Sequence, residues 1–162
     1  MTVAIYPGSF DPVTKGHLDV LETGAKIFDK VIIAVSHNPE KESFLSVNER
    51  LKLITESIPH LDNVEVDTFK GLTVDYARKK EATVLLRGLR AVSDFEFEMQ
   101  LSQTNSSLAE EIKTVFLITK PEYNFISSST VKEVLLNNGD ISNFVPASVN
   151  AYLLNKFRAE VK

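Results

Sequence analysis

Five short apolar runs alternate with longer segments of helical period, and this alternation most limits the folds that the chain can adopt. The runs are rich in Val and Ile, and several are apolar at successive positions, which is typical of parallel strands buried on both faces. Short strands alternating with helices predict stacked βαβ units. The predicted strands are residues 3–6, 31–35, 64–68, 84–87 and 114–118.

The segments between these runs carry the signals of helices. Two capping-box patterns, Ser46 with Glu49 and Ser93 with Glu96, predict helix starts at which side chains and backbone N–H groups satisfy each other. Gly139 predicts that another helix ends there, with the glycine in the left-handed backbone conformation. Apolar residues spaced by three and four support the remaining assignments. The predicted helices are residues 17–28, 47–58, 72–80, 93–108, 130–138 and 147–157.

These elements predict an α/β fold: one doubly wound, Rossmann-like domain over residues 1–162. Because crossovers between parallel strands are right-handed, the five-stranded parallel sheet should carry helices on both faces and end in a C-terminal helix. Ligands of such sheets bind at the carboxyl ends of the strands, where the strand order reverses. Functional residues are therefore expected in the turns after the first, second, fourth and fifth strands.

Composition excludes several classes of function. Eighteen Lys and Arg against 22 Asp and Glu give a net charge of −4, so no basic excess draws the chain to nucleic acid or an anionic membrane. The absence of Cys excludes disulfides, a thiol nucleophile and thiolate metal sites. The start lacks the regions of a signal peptide, and the longest apolar run, residues 31–35, is too short to span a membrane. We expect a cytoplasmic protein.

The turn after the first strand, Gly8 to His17, has the composition of a phosphate site. Gly8 and Gly16 permit positive φ or close approach of a ligand, and the dipole of the following helix favours an anion. Ser9 offers a hydroxyl, and His17 offers a directional hydrogen bond. The alternative is that the glycines only make turns and His17 only caps the helix. The turn also lacks the Gly-x-Gly-x-x-Gly and Gly-Lys-Ser/Thr fingerprints.

Two later stretches also suit phosphate. Arg87-Gly88-Leu89-Arg90 ends an apolar strand with two guanidinium groups, although a pair of solvated arginines is the ordinary alternative. Three serines, 127–129, open a helix and exceed what a cap requires, so they suit a polyphosphate, with Lys132 close behind. Carboxylates at 94, 96 and 98 are most simply surface charges near a helix start, but one turned inward would suit a ribose or base.

The order and spacing of these motifs resemble one enzyme family. Gly8-Ser9-Phe10-Asp11-Pro12, Thr14-Lys15-Gly16-His17, Arg87-Gly88-Leu89-Arg90, Asp94 to Glu98 and Ile126-Ser127-Ser128-Ser129 are similar to the motifs of phosphopantetheine adenylyltransferases. Thr14 stands where many members of the wider nucleotidyltransferase superfamily have histidine. The resemblance implies transfer of the adenylyl group of ATP to 4′-phosphopantetheine, which gives dephospho-CoA and pyrophosphate in coenzyme A biosynthesis by direct in-line attack.

The resemblance also implies roles for individual residues. The residues at the reacting phosphates are His17, Lys41, Ser9 and Arg90. Those that bind ATP are Ser9, Phe10, His17, Gly88, Leu89, Arg90, Glu98, Tyr123, Asn124, Phe125, Ile126, Ser127, Ser128 and Ser129. Those that bind phosphopantetheine are Ser9, Lys41, Thr73 and Arg87. The family further implies Mg²⁺ carried by the ATP phosphates rather than by protein ligands, a homohexamer, and dephospho-CoA or CoA as product or feedback ligand.

Three residues depart from the pattern, and three alternatives stay open. Ser9 replaces a threonine, Thr73 replaces a larger apolar residue, and Lys132 stands where related signatures have arginine. The first alternative is another transferase of the superfamily that uses CTP or accepts nicotinamide mononucleotide or glycerol phosphate. The second is a nucleotide-binding sensor without turnover, which the presence of both His17 and Lys41 disfavours. The third, nucleic-acid binding, lacks a basic stripe and an aromatic platform.

Overall fold

Five parallel strands form one sheet, each close to its predicted bounds. The computed structural model describes residues 1–158 without the side chain of Ser93, so residues 159–162 of the predicted domain lie outside the described residues. The strands are β1 (Val3–Gly8), β2 (Lys30–Ser36), β3 (Val64–Phe69), β4 (Val84–Leu89) and β5 (Lys113–Ile118). Their order across the sheet is β3-β2-β1-β4-β5, which confirms the predicted doubly wound parallel sheet.

Helices cover both faces of this sheet. Apolar side chains of the first, second, fifth and sixth helices pack with Tyr6 and Ile33 on one face, and those of the third pack with Ile5 and Ile32 on the other. The helices are α1 (Lys15–Ile27), α2 (Val47–Ser57), α3 (Thr73–Lys79), α4 (Val92–Leu108), α5 (Ser128–Leu136) and the C-terminal α6 (Ala147–Arg158). A short 3-10 helix, Pro121–Tyr123, was not predicted.

Helix ends show where the sequence patterns were right and wrong. The Ser46–Glu49 capping box is present: the Ser46 N–H donates to Glu49 Oε2 at 2.7 Å, and the Glu49 N–H donates to Ser46 Oγ at 3.1 Å. The predicted Ser93 cap is wrong, because α4 begins at Val92 with Ala91 as its N-cap residue. The Ser93 side chain itself lies outside the described part of the chain.

The left-handed residue after α5 is Asn138, with φ 59°, and not the predicted Gly139. The Gly139 N–H donates to the carbonyl of Val134 at 2.8 Å, the bond that closes a Schellman turn. A Cβ at position 139 would lie 2.5 Å from Val134 Cγ1, so glycine is needed there for close packing.

The strand order reverses between β1 and β4. Ile5 of β1 lies between Ile32 of β2 and Leu85 of β4, and the chain leaves β1 and β4 toward opposite halves of the sheet. The crevice left at their carboxyl ends is where ligands of this fold bind. Among residues 1–158, no helix combines the length and apolar character needed to cross a bilayer.

Candidate active site

A cavity of about 490 Å³ opens at this crevice. The β1–α1 turn, the end of β4, the start of α4 and the start of α5 surround it. Eleven of the sequence-predicted site residues line it: Ser9, Phe10, His17, Arg87, Gly88, Arg90, Glu98, Ile126, Ser127, Ser128 and Ser129. The turns after β1, β4 and β5 therefore meet at one place, as the parallel sheet predicts.

The backbone of the β1–α1 turn is left-handed at Phe10, with φ 47°. Neither Gly8 nor Gly16 has positive φ, and both line the cavity, so of the two predicted reasons for these glycines the close approach of a ligand is the one that stays. The Phe10 ring is buried, and its centroid lies 5.2 Å from that of Tyr6 and 5.0 Å from that of His17, both edge-on. A Cβ at Gly8 would approach Phe10 Cζ to 2.9 Å. Glycine at position 8 therefore makes room for a ring that supports the imidazole of His17.

His17 both caps the helix and faces the cavity. The Thr14 N–H donates to His17 Nδ1 at 3.0 Å, and the His17 N–H donates to Thr14 Oγ1 at 3.3 Å, which completes a capping box. Because Nδ1 accepts a hydrogen bond, the proton of the neutral ring is on Nε2. Burial, and then the nearby charges of Arg90 and Arg87, lower the pKa of His17 to about 4. The ring thus presents a neutral N–H donor to the cavity at physiological pH.

Arg87 and Glu98 form a bidentate ion pair in the wall of the cavity. Arg87 Nε and Nη2 donate to the two Glu98 carboxylate oxygens at 2.7 and 2.5 Å, and Nη1 donates to the Pro7 carbonyl at 3.0 Å. Glu98 is only 7% exposed. The resemblance implies that these residues bind different ligands, yet the structure joins them, so each sets the orientation of the other.

Asp94 holds Arg90 in place, although the sequence most simply predicts Asp94 to be a surface charge near a helix start. The backbone N–H and Nε of Arg90 donate to Asp94 Oδ2 at 3.2 and 3.1 Å, and Nη1 donates to the Ile126 carbonyl at 2.8 Å. The spacing of four residues near a helix start was the available signal. Arg90 therefore connects the end of β4 to the loop before α5.

The three serines have different partners. Ser127 is the N-cap of α5 and accepts a hydrogen bond from the Thr130 N–H at 3.1 Å, whereas Ser128 Oγ donates to the Pro12 carbonyl at 2.8 Å. The Ser129 hydroxyl has no protein partner among the described residues. The first N–H groups of α5 lack intrahelical acceptors and suit an anion. Of the three hydroxyls, Ser129 is thus the one left for a ligand.

Glycine at position 88 allows close packing between a strand and a helix. It lies within β4 rather than in a turn, and a Cβ there would lie 2.8 Å from Val20 Cγ2 of α1. Gly88 also lines the cavity. Glycine lets α1, which carries His17, pack closely on β4.

Six predicted site residues do not line the cavity: Lys41, Thr73, Leu89, Tyr123, Asn124 and Phe125. Lys41 is exposed in the turn after β2, and Thr73 is the half-buried first residue of α3. Lys132, which was considered only as a possible phosphate contact, does line the cavity. The cavity therefore gathers most of the predicted nucleotide residues, while two of the four predicted acceptor residues lie outside it.

The geometry suits the binding and polarisation of phosphates. Arg87, Arg90 and Lys132 supply positive charge, and His17 Nε2, the Ser129 hydroxyl and the start of α5 supply uncommitted donors. Such donors stabilise charge that develops on a bound phosphate.

Comparison with known proteins places the chain among nucleotidyltransferases. The cytidylyltransferase-like family matches residues 5–134. A curated protein of Thermosynechococcus vestitus named phosphopantetheine adenylyltransferase is 56% identical over 147 residues, which cover 91% of this chain and 88% of that protein. Proteins of the same name from Synechococcus elongatus and Geotalea daltonii are 53% and 52% identical and cover 98% and 97% of this chain, and 96% and 98% of their own lengths.

A solved structure from Vibrio parahaemolyticus, provisionally named nicotinate-nucleotide adenylyltransferase, shares the fold. Its TM-score is 0.74 at 23% identity, and the match covers 95% of this chain and 99% of that one.

Proposed function

The chain belongs to the cytidylyltransferase-like family and, within it, to the phosphopantetheine adenylyltransferases, and from this premise we propose that it transfers the adenylyl group of ATP to 4′-phosphopantetheine. The products are dephospho-CoA and pyrophosphate, in coenzyme A biosynthesis. The observation that carries the proposal is the meeting of His17, Arg87, Arg90 and the start of α5 in one cavity. A single cavity of this kind can hold the phosphates of both substrates close enough to react.

The reaction is a direct displacement at the α-phosphorus of ATP. A phosphate oxygen of the acceptor forms the new P–O bond, the bond to the bridging α,β-oxygen breaks, and pyrophosphate leaves with that electron pair. The Nε2–H of His17 donates to an α-phosphate oxygen, and its hydrogen bond strengthens as charge develops there. Arg90 and the start of α5 bind the β- and γ-phosphates.

The acceptor phosphate is assigned to Ser9 and Arg87, which line the cavity, and to Lys41, which is exposed in the turn after β2. Arg87 retains donors beyond those that bind Glu98, since a guanidinium group carries five N–H groups. Thr73 is assigned to the pantetheine arm. Lys41 has a long, flexible side chain, which suits contact with two reacting phosphates at once.

Magnesium is proposed to enter as the complex with ATP. Residues 1–158 contain no group of three or more His, Asp or Glu side chains arranged to hold a metal ion, and Mg²⁺ prefers phosphate oxygens and water in such sites. The ion would neutralise phosphate charge. A cytoplasmic location stays a prediction from the sequence.

A homohexamer, with CoA as a feedback ligand, is proposed from family membership. The exposed apolar side chains of α4 and of the edge strand β5 support self-association: Val92, Phe97 and Ile118 are 79%, 61% and 84% exposed. Light scattering coupled to size exclusion measures the assembly directly. A monomeric mass at micromolar concentration would contradict the hexamer.

The function is tested by pyrophosphate release from ATP and magnesium with four separate acceptors. These are phosphopantetheine, pantetheine, nicotinamide mononucleotide and glycerol phosphate. Release with phosphopantetheine alone is expected, because pantetheine lacks the attacking phosphate. Release with nicotinamide mononucleotide or glycerol phosphate would favour another transferase of the superfamily. ATP binding without release under any condition would indicate a sensor.

A further inference from the structure

Arg50 of α2 is buried without a carboxylate partner. It is only 4% exposed, and no Asp or Glu of residues 1–158 forms a salt bridge with it. It does not line the cavity, and nothing in its sequence neighbourhood distinguishes it from an ordinary helix residue. Because burial of a guanidinium group is unfavourable unless its donors are satisfied, its partners show what the residue does.

Those partners are backbone carbonyls from three segments, of which the β1–α1 turn lines the cavity. Arg50 Nη1 donates to the Ser9 carbonyl at 2.9 Å and to the Ser36 carbonyl at 3.4 Å, and Nε donates to the Ser46 carbonyl at 3.4 Å. Ser9 belongs to the β1–α1 turn, Ser36 ends β2, and Ser46 is the N-cap of α2. One side chain therefore joins the catalytic turn to the sheet and to a packed helix.

The carboxylate of Asp11, a second buried charged group, also holds the β1–α1 turn in place. Asp11 is 7% exposed, and its two carboxylate oxygens accept hydrogen bonds from the N–H groups of Phe44 and Leu45, both at 2.8 Å. Arg50 and Asp11 bind backbone rather than each other. The turn between them contains Phe10 in its left-handed conformation, which an aromatic residue adopts only when its surroundings impose it.

The orientation of the peptide between Ser9 and Phe10 follows from this arrangement. In a trans peptide the carbonyl and the N–H point in opposite directions. Arg50, which lies outside the cavity, holds the Ser9 carbonyl, so the N–H of Phe10 points to the opposite side of the peptide. That N–H has no acceptor among the described residues, and both Ser9 and Phe10 line the cavity.

We propose that Arg50 is a positioning residue for adenylyl transfer, which holds the Ser9 carbonyl away from the cavity and thereby presents the Phe10 N–H and the Ser9 hydroxyl to the reacting phosphates. The proposal rests on the function proposed above. Without the guanidinium group, the Ser9 carbonyl loses the donor that holds it away from the cavity, and a rotated peptide would turn its carbonyl dipole toward the phosphates in place of a donor. Arg50 acts through the peptide and does not itself touch a substrate.

The test compares Arg50→Met, Arg50→Lys and the parent, with ATP and phosphopantetheine varied separately and with unfolding in urea measured in parallel. Arg50→Met is expected to lower kcat at least about tenfold per folded molecule, because one transition-state donor is lost. Arg50→Lys is expected to lower kcat at least about threefold, because an ammonium group on a flexible stem holds the three carbonyls less rigidly than the planar fork.

Lys156→Met is the matched control. Lys156 of α6 donates to Glu49 of α2 at 2.5 Å, so the variant also removes a cation that fastens α2, but away from the cavity. It is expected to lower stability and leave kcat unchanged. If Arg50→Met does not fold, Arg50→Lys decides the question. Arg50 variants with kcat within twofold of the parent, or a loss no larger than that of Lys156→Met, would overturn the proposal.

Failure of the underlying function is distinguishable from failure of this assignment. A parent protein that releases no pyrophosphate with phosphopantetheine would overturn the proposed function and the Arg50 assignment together. An active parent with unaffected Arg50 variants would overturn the assignment alone.

Discussion

The site contains two sets of side chains, fixed and open, which differ in how firmly the chain holds them; Arg87, which donates to Glu98, belongs to the fixed set. His17, Arg90 and Ser127 each form at least one hydrogen bond with another segment or with a helix end. The side chains of Lys41 and Thr73 form none within the described part of the chain. The side chains proposed to bind the ATP phosphates are thus oriented before substrate binds, whereas Lys41 and Thr73, which are proposed to bind the acceptor, are not.

This difference has consequences for mutagenesis. Substitution of a fixed side chain should change both stability and catalysis, because the same side chain maintains the fold. Substitution of an open side chain should change catalysis alone.

The largest effect is expected from His17→Ala. Loss of the Nε2–H donor should lower kcat at least roughly a hundredfold while ATP binding is retained, because the donor acts mainly in the transition state. Steady-state kinetics and calorimetric ATP binding measure the two effects. His60→Ala, which removes an exposed imidazole beside Glu22, is the control and should retain parent kinetics. Equal turnover in the His17 variant and the parent would remove His17 from the mechanism.

Arg87→Ala is expected to raise the KM for phosphopantetheine at least about tenfold, because it removes a charged hydrogen-bond partner of the acceptor. It should also lower the free energy of unfolding by about 3–5 kcal/mol, because Glu98 is left buried and unpaired. The double variant Arg87→Met with Glu98→Gln should recover stability without recovering binding. A kinetic effect confined to ATP would reverse the assignment of Arg87.

Lys41→Ala is expected to lower kcat at least about tenfold, since a cation between the reacting phosphates is lost. The free energy of unfolding should change by no more than about 0.5 kcal/mol, because the side chain is exposed. Lys52→Ala, another exposed lysine, controls for the change in net charge. If Lys41→Ala lowered the free energy of unfolding as well as kcat, the open side chains would not differ from the fixed ones as described.

Substitutions of Ser127 and Ser129 should have smaller effects, one on stability and the other on ATP binding. Ser127→Ala removes an N-cap and should lower stability by about 1 kcal/mol. Ser129→Ala should instead raise the KM for ATP about threefold to tenfold, the value of one hydrogen bond to a phosphate, with stability unchanged. The opposite pattern would mean that Ser127 is released from its cap when ATP binds.

The smallest effect concerns protonation of His17. The neutral ring persists in the folded free protein until the pH approaches about 4, so its NMR signals should not titrate near the ordinary pKa of about 6.5. The unfolded chain does bind a proton there, and the His17 contribution to stability is therefore lost as the pH falls from about 6.5 to about 4. Titration of His17 near pH 6.5 in the folded protein would contradict its burial and its Nδ1 hydrogen bond.

The sheet and the location of the cavity were predictable from the sequence because both follow from local patterns. Val and Ile runs identify buried parallel strands, and the carboxyl ends of such strands meet at one edge. The sequence pattern therefore predicts that residues 87–90 and 127–129 lie at the same edge of the sheet.

The contacts that the sequence did not predict join residues that are far apart in the chain. Arg90 donates to the Ile126 carbonyl and Arg50 donates to the Ser9 carbonyl, and no local sequence pattern indicates either partner. The left-handed φ of Phe10 has no sequence signal, because tertiary packing imposes it on a residue type that disfavours it.

The central claim is that the two substrates react directly with each other in a cavity that supplies donors and charge but no nucleophile. The most direct test is the stereochemistry at the α-phosphorus, with ATP that carries a chiral α-phosphorothioate and phosphopantetheine as acceptor. One in-line displacement predicts inversion of configuration in the dephospho-CoA product. Retention would require a second displacement through a covalent protein intermediate, and it would contradict the account.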